Sequence, residues 1–176
     1  MKKSLGFTLI ELLVTMTIMA TLVTLAAPSV AGLVQSGNIA SGVNTFLADL
    51  RFARGEAIRR GNSVVICRSA DPEAAPPTCA STSTRGWAAG WIIYEERDAT
   101  SGFGNGDKLL RIQAALNGID GAVSARNDFT FTPLGRGQGI GVGANVVFGV
   151  LIPSERQRTV CISTTGRARA TTACDT

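Results

Sequence analysis

The sequence contains no histidine, so it lacks the side chain that proteins most often use for acid–base chemistry near neutral pH. The four cysteines do not supply a metal site instead, because no two of them have the Cys-x2-Cys spacing of a zinc ligand pair. Serine and threonine are abundant, but none has an evident partner that would activate it as a nucleophile. We therefore expect a protein that is not an enzyme, holds no metal and needs no cofactor.

Charge is also missing, from residue 12 to residue 48, and this gap marks a long apolar segment. About 20 apolar residues suffice to cross a bilayer as a helix, so the segment is long enough to span one. A cleaved secretory signal peptide is disfavoured, because the apolar run is too long and Pro28 follows it without a convincing cleavage site. An ordinary membrane anchor, with Lys2 and Lys3 left inside the cell, leaves the acidic Glu11 unexplained.

The chain begins with a short basic leader that ends at Gly6, and the residues FTLIE follow it. This arrangement resembles the class III signal of type IV pilins and of type II secretion pseudopilins. The resemblance implies that a prepilin peptidase cleaves after Gly6 and that Phe7 is then N-methylated. It also implies that Glu11 meets the N-terminal amine of a neighbouring subunit during assembly. That role suits a buried carboxylate, because such a group needs a cationic partner.

The apolar pattern changes after residue 35 to that of a helix with one buried face. Apolar residues recur there at steps of three and four: Ile39, Val43, Phe46, Leu47, Leu50, Ala53, Ala57 and Ile58. Gly61 and Asn62 supply a stop signal, so we expect one helix over residues 7–60 with a bend at Pro28. The predicted organisation is a leader (1–6), a membrane and assembly half of the helix (7–34) and a globular domain (35–176), itself composed of an amphipathic helix (35–60) and a β-domain (61–176).

Beyond residue 61 the pattern is one of short β-branched runs between turn residues. Strands are predicted over residues 64–67, 87–94, 109–112, 129–132, 145–152 and 159–163. Residues 69–84 have the composition of a loop, and residues 135–143 that of a glycine-rich hairpin connection. Residues 98–107 carry oxygen atoms of the kind that bind calcium, but their spacing does not match an EF-hand, so a surface turn is favoured.

The cysteines Cys67, Cys79, Cys161 and Cys174 allow three disulfide connectivities, which the sequence alone does not decide. The near-neighbour solution, Cys67–Cys79 with Cys161–Cys174, closes two short loops. In the chain-entropy description each such loop contributes about 3 kcal/mol of stability. Paired cysteines in an exported domain fit an oxidising compartment.

Three segments in the second half of the chain resemble the GspH/FimT branch of the pilin family. They are FARGEAIRRG at residues 52–61, VVIC at residues 64–67 and GWIIY at residues 90–94. Many members of that branch carry serine where this chain has Gly55. The resemblance implies an α+β type IV pilin fold, with a long N-terminal helix packed on an antiparallel β-sheet domain.

The C-terminal residues Gly166, Arg167, Ala168 and Arg169 resemble the Gly-Arg-x-Arg element that FimT-type minor pilins are known for, which the family links to DNA binding in natural transformation. Two arginines spaced by two on a strand point to the same face. A disulfide between the last two cysteines would hold them in a small exposed loop, which presents guanidinium groups to a phosphate backbone without the need for base contacts. The net formal charge is only +4, but the five arginines from residue 136 onward meet just two acids.

Three more arginines are candidates for the same surface. Arg156 and Arg158 share one strand parity and would extend the patch, and Arg136 beside the glycine-rich turn is the weaker candidate. No aromatic residue lies near this tail, so base stacking on single strands is not expected. Binding should therefore be independent of sequence and sensitive to salt.

The resemblance implies a minor pilin that binds DNA for uptake. The alternative is a structural role, either as the H-type pseudopilin of a type II secretion system or as a minor pilin that only primes pilus assembly. The expected partners are other pilins or pseudopilins, a prepilin peptidase, DNA and the inner membrane. The expected location is a single-pass position in the bacterial inner membrane with the globular domain in the periplasm, and afterwards a pilus or pseudopilus.

Overall fold

The computed structural model describes residues 6–98, 102–104, 106–141, 144–151 and 154–174, and for residues 25–29 and 155 it describes the backbone alone. The chain divides into two compact units, Met1–Ser36 and Gly37–Thr176. One helix, α1 (Leu9–Arg60), contains 52 residues and contributes to both units. Of the predicted leader, residues 1–5 lie outside the described residues, and the structure describes only Gly6.

In the first unit, helix α1 begins two residues later than predicted, because Thr8 caps it. The Glu11 amide donates to Thr8 Oγ1 at 3.3 Å, and the Leu12 amide donates to the Thr8 carbonyl oxygen at 3.2 Å. A threonine three residues before a glutamate is a frequent start of a helix. Within the residues whose side chains are described, no stretch of helix is long and apolar enough to cross a membrane.

Two antiparallel sheets form the second unit together with the end of helix α1. The first sheet has the order β3-β2-β1-β5-β6, and the second has the order β4-β7-β8-β9. The strands are β1 (Val64–Arg68), β2 (Trp91–Glu95), β3 (Lys108–Gln113), β4 (Ala122–Val123), β5 (Asp128–Phe131), β6 (Gly137–Gln138), β7 (Asn145–Phe148), β8 (Arg158–Ile162) and β9 (Ala168–Thr171).

The core of this unit lies between the buried face of helix α1 and both sheets. Phe46 of the helix is fully buried, and its ring centroid lies 5.1 Å from that of Trp91 in β2 and 5.7 Å from that of Phe148 in β7. The helical stripe from Ile39 to Ala57 is buried as predicted. Ile58 is 54% exposed, so its predicted burial was wrong. It lies at the rim of the interface, where its side chain faces the chain turn at Gly135.

A buried carboxylate ties helix α1 to the first sheet. Asp49 is 3% exposed and accepts a hydrogen bond from the Trp91 indole nitrogen at 2.8 Å. The same carboxylate forms an ion pair with Arg111 of β3, whose guanidinium carbon lies 3.8 Å from the centre of the Phe52 ring. A buried charge is tolerated when it is paired in this way.

Two predicted strands are shorter than expected, because glycines interrupt them. The segment predicted as one strand from residue 87 has a 3₁₀ turn, Trp87–Ala89, before β2. Gly90 separates the two with a φ of +117°, a value that L-residues rarely adopt. Strand β7 ends at Phe148, and Gly149 follows with a φ of +81°. Three strands were not predicted: the short strands β4 and β6, and β9, whose residues were expected in an exposed loop.

Both disulfides are those of the near-neighbour connectivity. Cys67–Cys79 ties the predicted loop after β1 to the outer face of the first sheet, and Cys161–Cys174 ties the chain after β9 back to β8. The predicted surface turn at residues 98–107 closes on Asp107, which accepts hydrogen bonds from the amides of Arg97 and Gly104 at 2.9 and 3.0 Å. The described residues contain no group of three side chains that could hold a metal ion.

Two glycines of helix α1 provide a matched test of this packing. A methyl group at Gly55 would meet no atom within 4 Å, whereas one at Gly42 would overlap the buried Ile119 side chain. Gly55→Ala should stabilise the second unit by about 1 kcal/mol, because alanine favours a helix more than glycine does. Thermal unfolding of the full chain in neutral detergent, followed by tryptophan fluorescence, measures this change. Gly42→Ala should gain less, and an equal gain at both positions would contradict the packing described.

Candidate nucleic-acid interface

The C-terminal arginines lie on a hairpin formed by β8 and β9. Cys161 pairs with Arg169, and Ile162 pairs with Ala168. The turn closes where the Ser163 amide donates to the Arg167 carbonyl oxygen at 2.9 Å. Arg167 therefore stands opposite Ser163 and continues the register of the two strands.

The hairpin register places Arg167 and Arg169 on the same face, in agreement with their spacing of two. Directly opposed residues in an antiparallel pair point to the same side of the sheet, so this face also carries Cys161. The opposite face of β8 carries Val160 and Ile162, which are buried in the core. Both arginines are exposed. The core thus holds one face of the hairpin and leaves the arginine face outward.

An open cleft of about 390 Å³ lies beside these arginines. Its lining includes Arg167 and Arg169, the hydroxyl residues Ser163 and Thr165, and the disulfide of Cys161 with Cys174. Guanidinium and hydroxyl groups are hydrogen-bond donors, and phosphate oxygens are acceptors. The chemistry of the cleft therefore suits a phosphate group of a nucleic-acid backbone.

A second hairpin, formed by β5 and β6, carries Arg136. The Thr132 amide donates to the Arg136 carbonyl oxygen at 2.8 Å, and the Arg136 side chain is exposed. The neighbouring Gly137 amide donates to the carbonyl oxygen of Thr164, at the tip of the first hairpin, at 3.0 Å. This hydrogen bond joins the tips of the two hairpins, so Arg136 lies one residue from the junction.

The structure does not bring Arg156 and Arg158 to this surface. Arg156 ends a 3₁₀ turn (Ser154–Arg156), and Arg158 is the first residue of β8, opposite Phe148. Strand alternation places Arg158 on the face of Val160, away from the face of Arg169. Arg158 also lies about five residues along the strand from the hairpin turn, or roughly 17 Å. The predicted extension of the patch through these two arginines is therefore not supported by the register.

Most other arginines of the second unit are bound to acceptors within the protein. Arg60 forms ion pairs with Glu56 and Glu95 at 2.6 and 2.9 Å, and Arg85 donates to two backbone carbonyl oxygens. Hydrogen bonds from Arg59 and Arg60 lower the pKa of Glu56 to about 2. In contrast, the side chains of Arg136 and Arg167 make no hydrogen bond or ion pair with any residue that the structure describes.

Arg54 of helix α1 also belongs to this region, although it lies among the charged residues outside the buried stripe of the helix. Its Nη1 atom donates to the Gly166 carbonyl oxygen at 3.3 Å. The only sequence signal was that Arg54 lies off the buried stripe, a property that it shares with Arg51. A bond between residues 112 positions apart in the sequence has no local pattern.

The residues predicted to act in cleavage and assembly lie near the start of the sequence. Gly6 and Phe7 precede the helix, and Phe7 is 78% exposed. Glu11 occupies the first turn of helix α1, where the helix dipole favours a negative charge.

Comparison with known proteins gives two family matches and two similar solved structures. The family model described as type II transport protein GspH matches residues 42–166, and the prokaryotic N-terminal methylation motif matches residues 1–27. A crystal structure of the type IV minor pilin FimU from Pseudomonas aeruginosa strain PAO1 superposes with a TM-score of 0.56 at 18% identity, over 79% of this chain and 96% of that chain. A second crystal form of FimU gives a TM-score of 0.50 at 19% identity, over 74% and 90%. No curated protein matches by sequence.

These similarities confirm the predicted fold class. The long N-terminal helix and the antiparallel sheets are those of the type IV pilin fold, at an identity that supports the fold alone.

Gly166 is expected to be essential to the geometry of the arginine hairpin. It has a φ of +76°, and a methyl group there would overlap the Gly135 carbonyl oxygen. Gly139 has a similar φ of +62°, but a methyl group there would meet only the end of the Arg126 side chain at 3.9 Å, so Gly139→Ala should cost only the backbone strain, about 1 kcal/mol. Gly166→Ala should cost distinctly more, because backbone must move. Thermal unfolding of the two full-length variants compares them, and equal losses would show that the close approach to Gly135 is not restrictive.

Proposed function

The chain belongs to the GspH family, and from this membership we propose that it is a minor pilin of a type IV pilus that binds DNA for uptake in natural transformation. The observation that supports the proposal is the outward face of the β8–β9 hairpin, where Arg167 and Arg169 lie on the same side of a hairpin that the Cys161–Cys174 disulfide closes. Arg136 on the adjoining hairpin is the third member of the proposed surface. The family and the fold are those of fibre subunits and not of enzymes.

The proposed contacts are with the phosphate backbone and not with the bases. Arginine presents several donors in a plane, which matches phosphate oxygens, and its charge is permanent at physiological pH. Among the residues that the structure describes, the lining of the cleft contains no aromatic side chain on which a base could stack. Recognition through phosphates alone carries no information on base sequence. A receptor that takes up DNA of any sequence must bind it without reading the bases.

Assembly into the fibre is proposed to follow the route of the family. A prepilin peptidase would cleave after Gly6 and the new N-terminus at Phe7 would be methylated, in keeping with the motif match at residues 1–27. Before assembly, residues 7–34 would hold the subunit in the inner membrane as a single span, with the globular domain (35–176) in the periplasm. In the pilus, Glu11 would pair with the N-terminal amine of a neighbouring pilin, since a carboxylate away from water needs such a partner.

A structural role is the second candidate, and the name of the matching family model favours it. In this case the chain is an H-type pseudopilin of a type II secretion system, or a minor pilin that only primes pilus assembly. Neither role requires a cationic hairpin. The two candidates therefore differ in whether the arginine face binds DNA.

The DNA-binding proposal predicts salt-sensitive binding that depends on Arg167 and Arg169. If Arg136, Arg167 and Arg169 each neutralise one phosphate, the slope of log K against log salt is about −2.7. Affinity for duplex DNA should then fall about 40-fold between 50 and 200 mM salt. Fluorescence anisotropy with the full chain in neutral detergent and a labelled duplex measures both quantities. The Arg167→Ala/Arg169→Ala variant should bind weakly, with a slope reduced by about 1.8.

The matched control is Arg156→Ala/Arg158→Ala, which removes the same charge near the other end of β8, since Arg156 ends the preceding 3₁₀ turn and Arg158 is the first residue of the strand. It should retain most of the affinity of the wild type. If the two double variants lose affinity equally, binding reflects net charge and not the hairpin. If the wild type does not bind at 50 mM salt, the structural role is the correct one.

The assembly proposal predicts two separable defects near the N-terminus. Gly6→Val should block removal of the leader by a co-expressed prepilin peptidase, and mass spectrometry of the membrane protein should then find residues 1–6 still attached. Glu11→Ala should be cleaved normally but should be depleted from sheared fibres. Normal cleavage of the Gly6 variant would contradict the cleavage site, and normal incorporation of the Glu11 variant would contradict the proposed pairing.

A further inference from the structure

The two arginine-bearing hairpins meet at a contact that has almost no side-chain volume. Gly166 of the β8–β9 turn approaches the backbone of Gly135 in the β5–β6 turn so closely that a methyl group on Gly166 would overlap the Gly135 carbonyl oxygen. The Gly137 amide adds its hydrogen bond to the Thr164 carbonyl oxygen at 3.0 Å. These contacts join the hairpins by backbone alone, at a position where both chains turn.

Arg54 of helix α1 lies against both glycines of this contact. Its Nη1 atom donates to the Gly166 carbonyl oxygen at 3.3 Å. Its Nε atom lies 3.1 Å from where a methyl group on Gly135 would be, and 3.4 Å from the corresponding position on Gly166. The Arg54 side chain is half-buried. One helical side chain thus covers the junction of two hairpins that belong to different sheets.

The position of this contact matters for the arginines on either side. Arg136 follows Gly135 directly, and Arg167 follows Gly166 directly. Any movement at the glycine contact therefore changes the separation of the two guanidinium groups. A phosphate backbone has fixed spacings, so binding by two arginines depends on their relative position. If the two arginines already have the correct relative position, less conformational entropy is lost when DNA binds.

We propose that Arg54 is a positioning residue that holds the β8–β9 hairpin against the β5–β6 hairpin and so sets the spacing of Arg136 and Arg167. The importance of that spacing for DNA rests on the function proposed above. Arg54 acts through the Gly166 carbonyl oxygen and does not itself bind the phosphate. Its guanidinium forms a hydrogen bond at the backbone junction, whereas the exposed side chains of Arg136 and Arg167 form none with a described residue.

Arg51 provides the matched control for this proposal. It lies one turn earlier on helix α1, is exposed, and makes no hydrogen bond or ion pair with any described residue. Arg51→Met and Arg54→Met remove the same charge and leave an apolar chain of similar length. A difference between the two variants therefore reports on the contact with Gly166 and not on the loss of a positive charge.

The first measurement is amide hydrogen exchange in the free full-length protein in neutral detergent. The Gly137 amide, which bridges the hairpins, should exchange about fivefold faster in Arg54→Met than in the wild type, the factor that corresponds to the loss of one ordinary hydrogen bond. In Arg51→Met it should be unchanged. The Ile66 amide in β1 should be equally protected in all three proteins, which establishes that the core is intact. Unchanged exchange at Gly137 in Arg54→Met would overturn the proposal.

The second measurement is the affinity of the same proteins for duplex DNA. Arg54→Met should lose at least about twofold more affinity than Arg51→Met, because a smaller fraction of molecules has the correct hairpin arrangement. Equal losses would overturn the positioning role. A lower affinity of Arg54→Met without faster Gly137 exchange would also overturn it, since Arg54 would then contact phosphate directly. If the wild type binds no DNA, the proposed function fails, but the exchange measurement still decides whether Arg54 holds the hairpins together.

Discussion

Phe46 is the residue through which helix α1 and the two sheets share one core. It is fully buried and contacts Trp91 and Phe129 from the first sheet and Phe148 from the second. Aromatic contacts of this kind bury large areas and favour edge-to-face geometry, so they constrain orientation as well as distance. Because each sheet packs on the same helical stripe, their edges meet near the end of that helix. The arginine hairpins are located at this meeting point.

The position of the candidate interface follows from the alternation of side chains along β8, because burial of one face in the core leaves the other face outward. Val160 and Ile162 of β8 are buried in the core, so Cys161 between them points to the opposite face of the sheet. In β9 the partner positions carry Arg169 on the outer face and Ala168 on the inner face. The disulfide Cys161–Cys174 restrains the end of the chain on that same outer face. The arginines are therefore held in place by burial of their neighbours, and the candidate site needs no separate scaffold.

Sequence patterns predicted the elements whose signals are local. The stripe from Ile39 to Ala57 has the helical period, and the helix does end before Gly61. The spacing of Arg167 and Arg169 also sufficed to predict their common face. The predicted strand was wrong for residues 87–89, which form a 3₁₀ turn because Gly90 breaks the extended backbone. The predicted burial of Ile58 was wrong, because a residue at the edge of the helical stripe is buried only where another part of the chain covers it.

The sequence by itself determined the helix, most of the strands, the family resemblance and the identity of the two central arginines, since all of these depend on residues close together in the chain. Only the tertiary structure shows which other arginines lie near Arg167 and Arg169. Arg158 lies at the far end of β8 and on the face opposite to that of Arg169. Arg54 and Gly135 were added because the chain returns to Gly166 from more than 30 residues away. Contacts between distant residues arise from the packing of whole elements, and no local pattern encodes them.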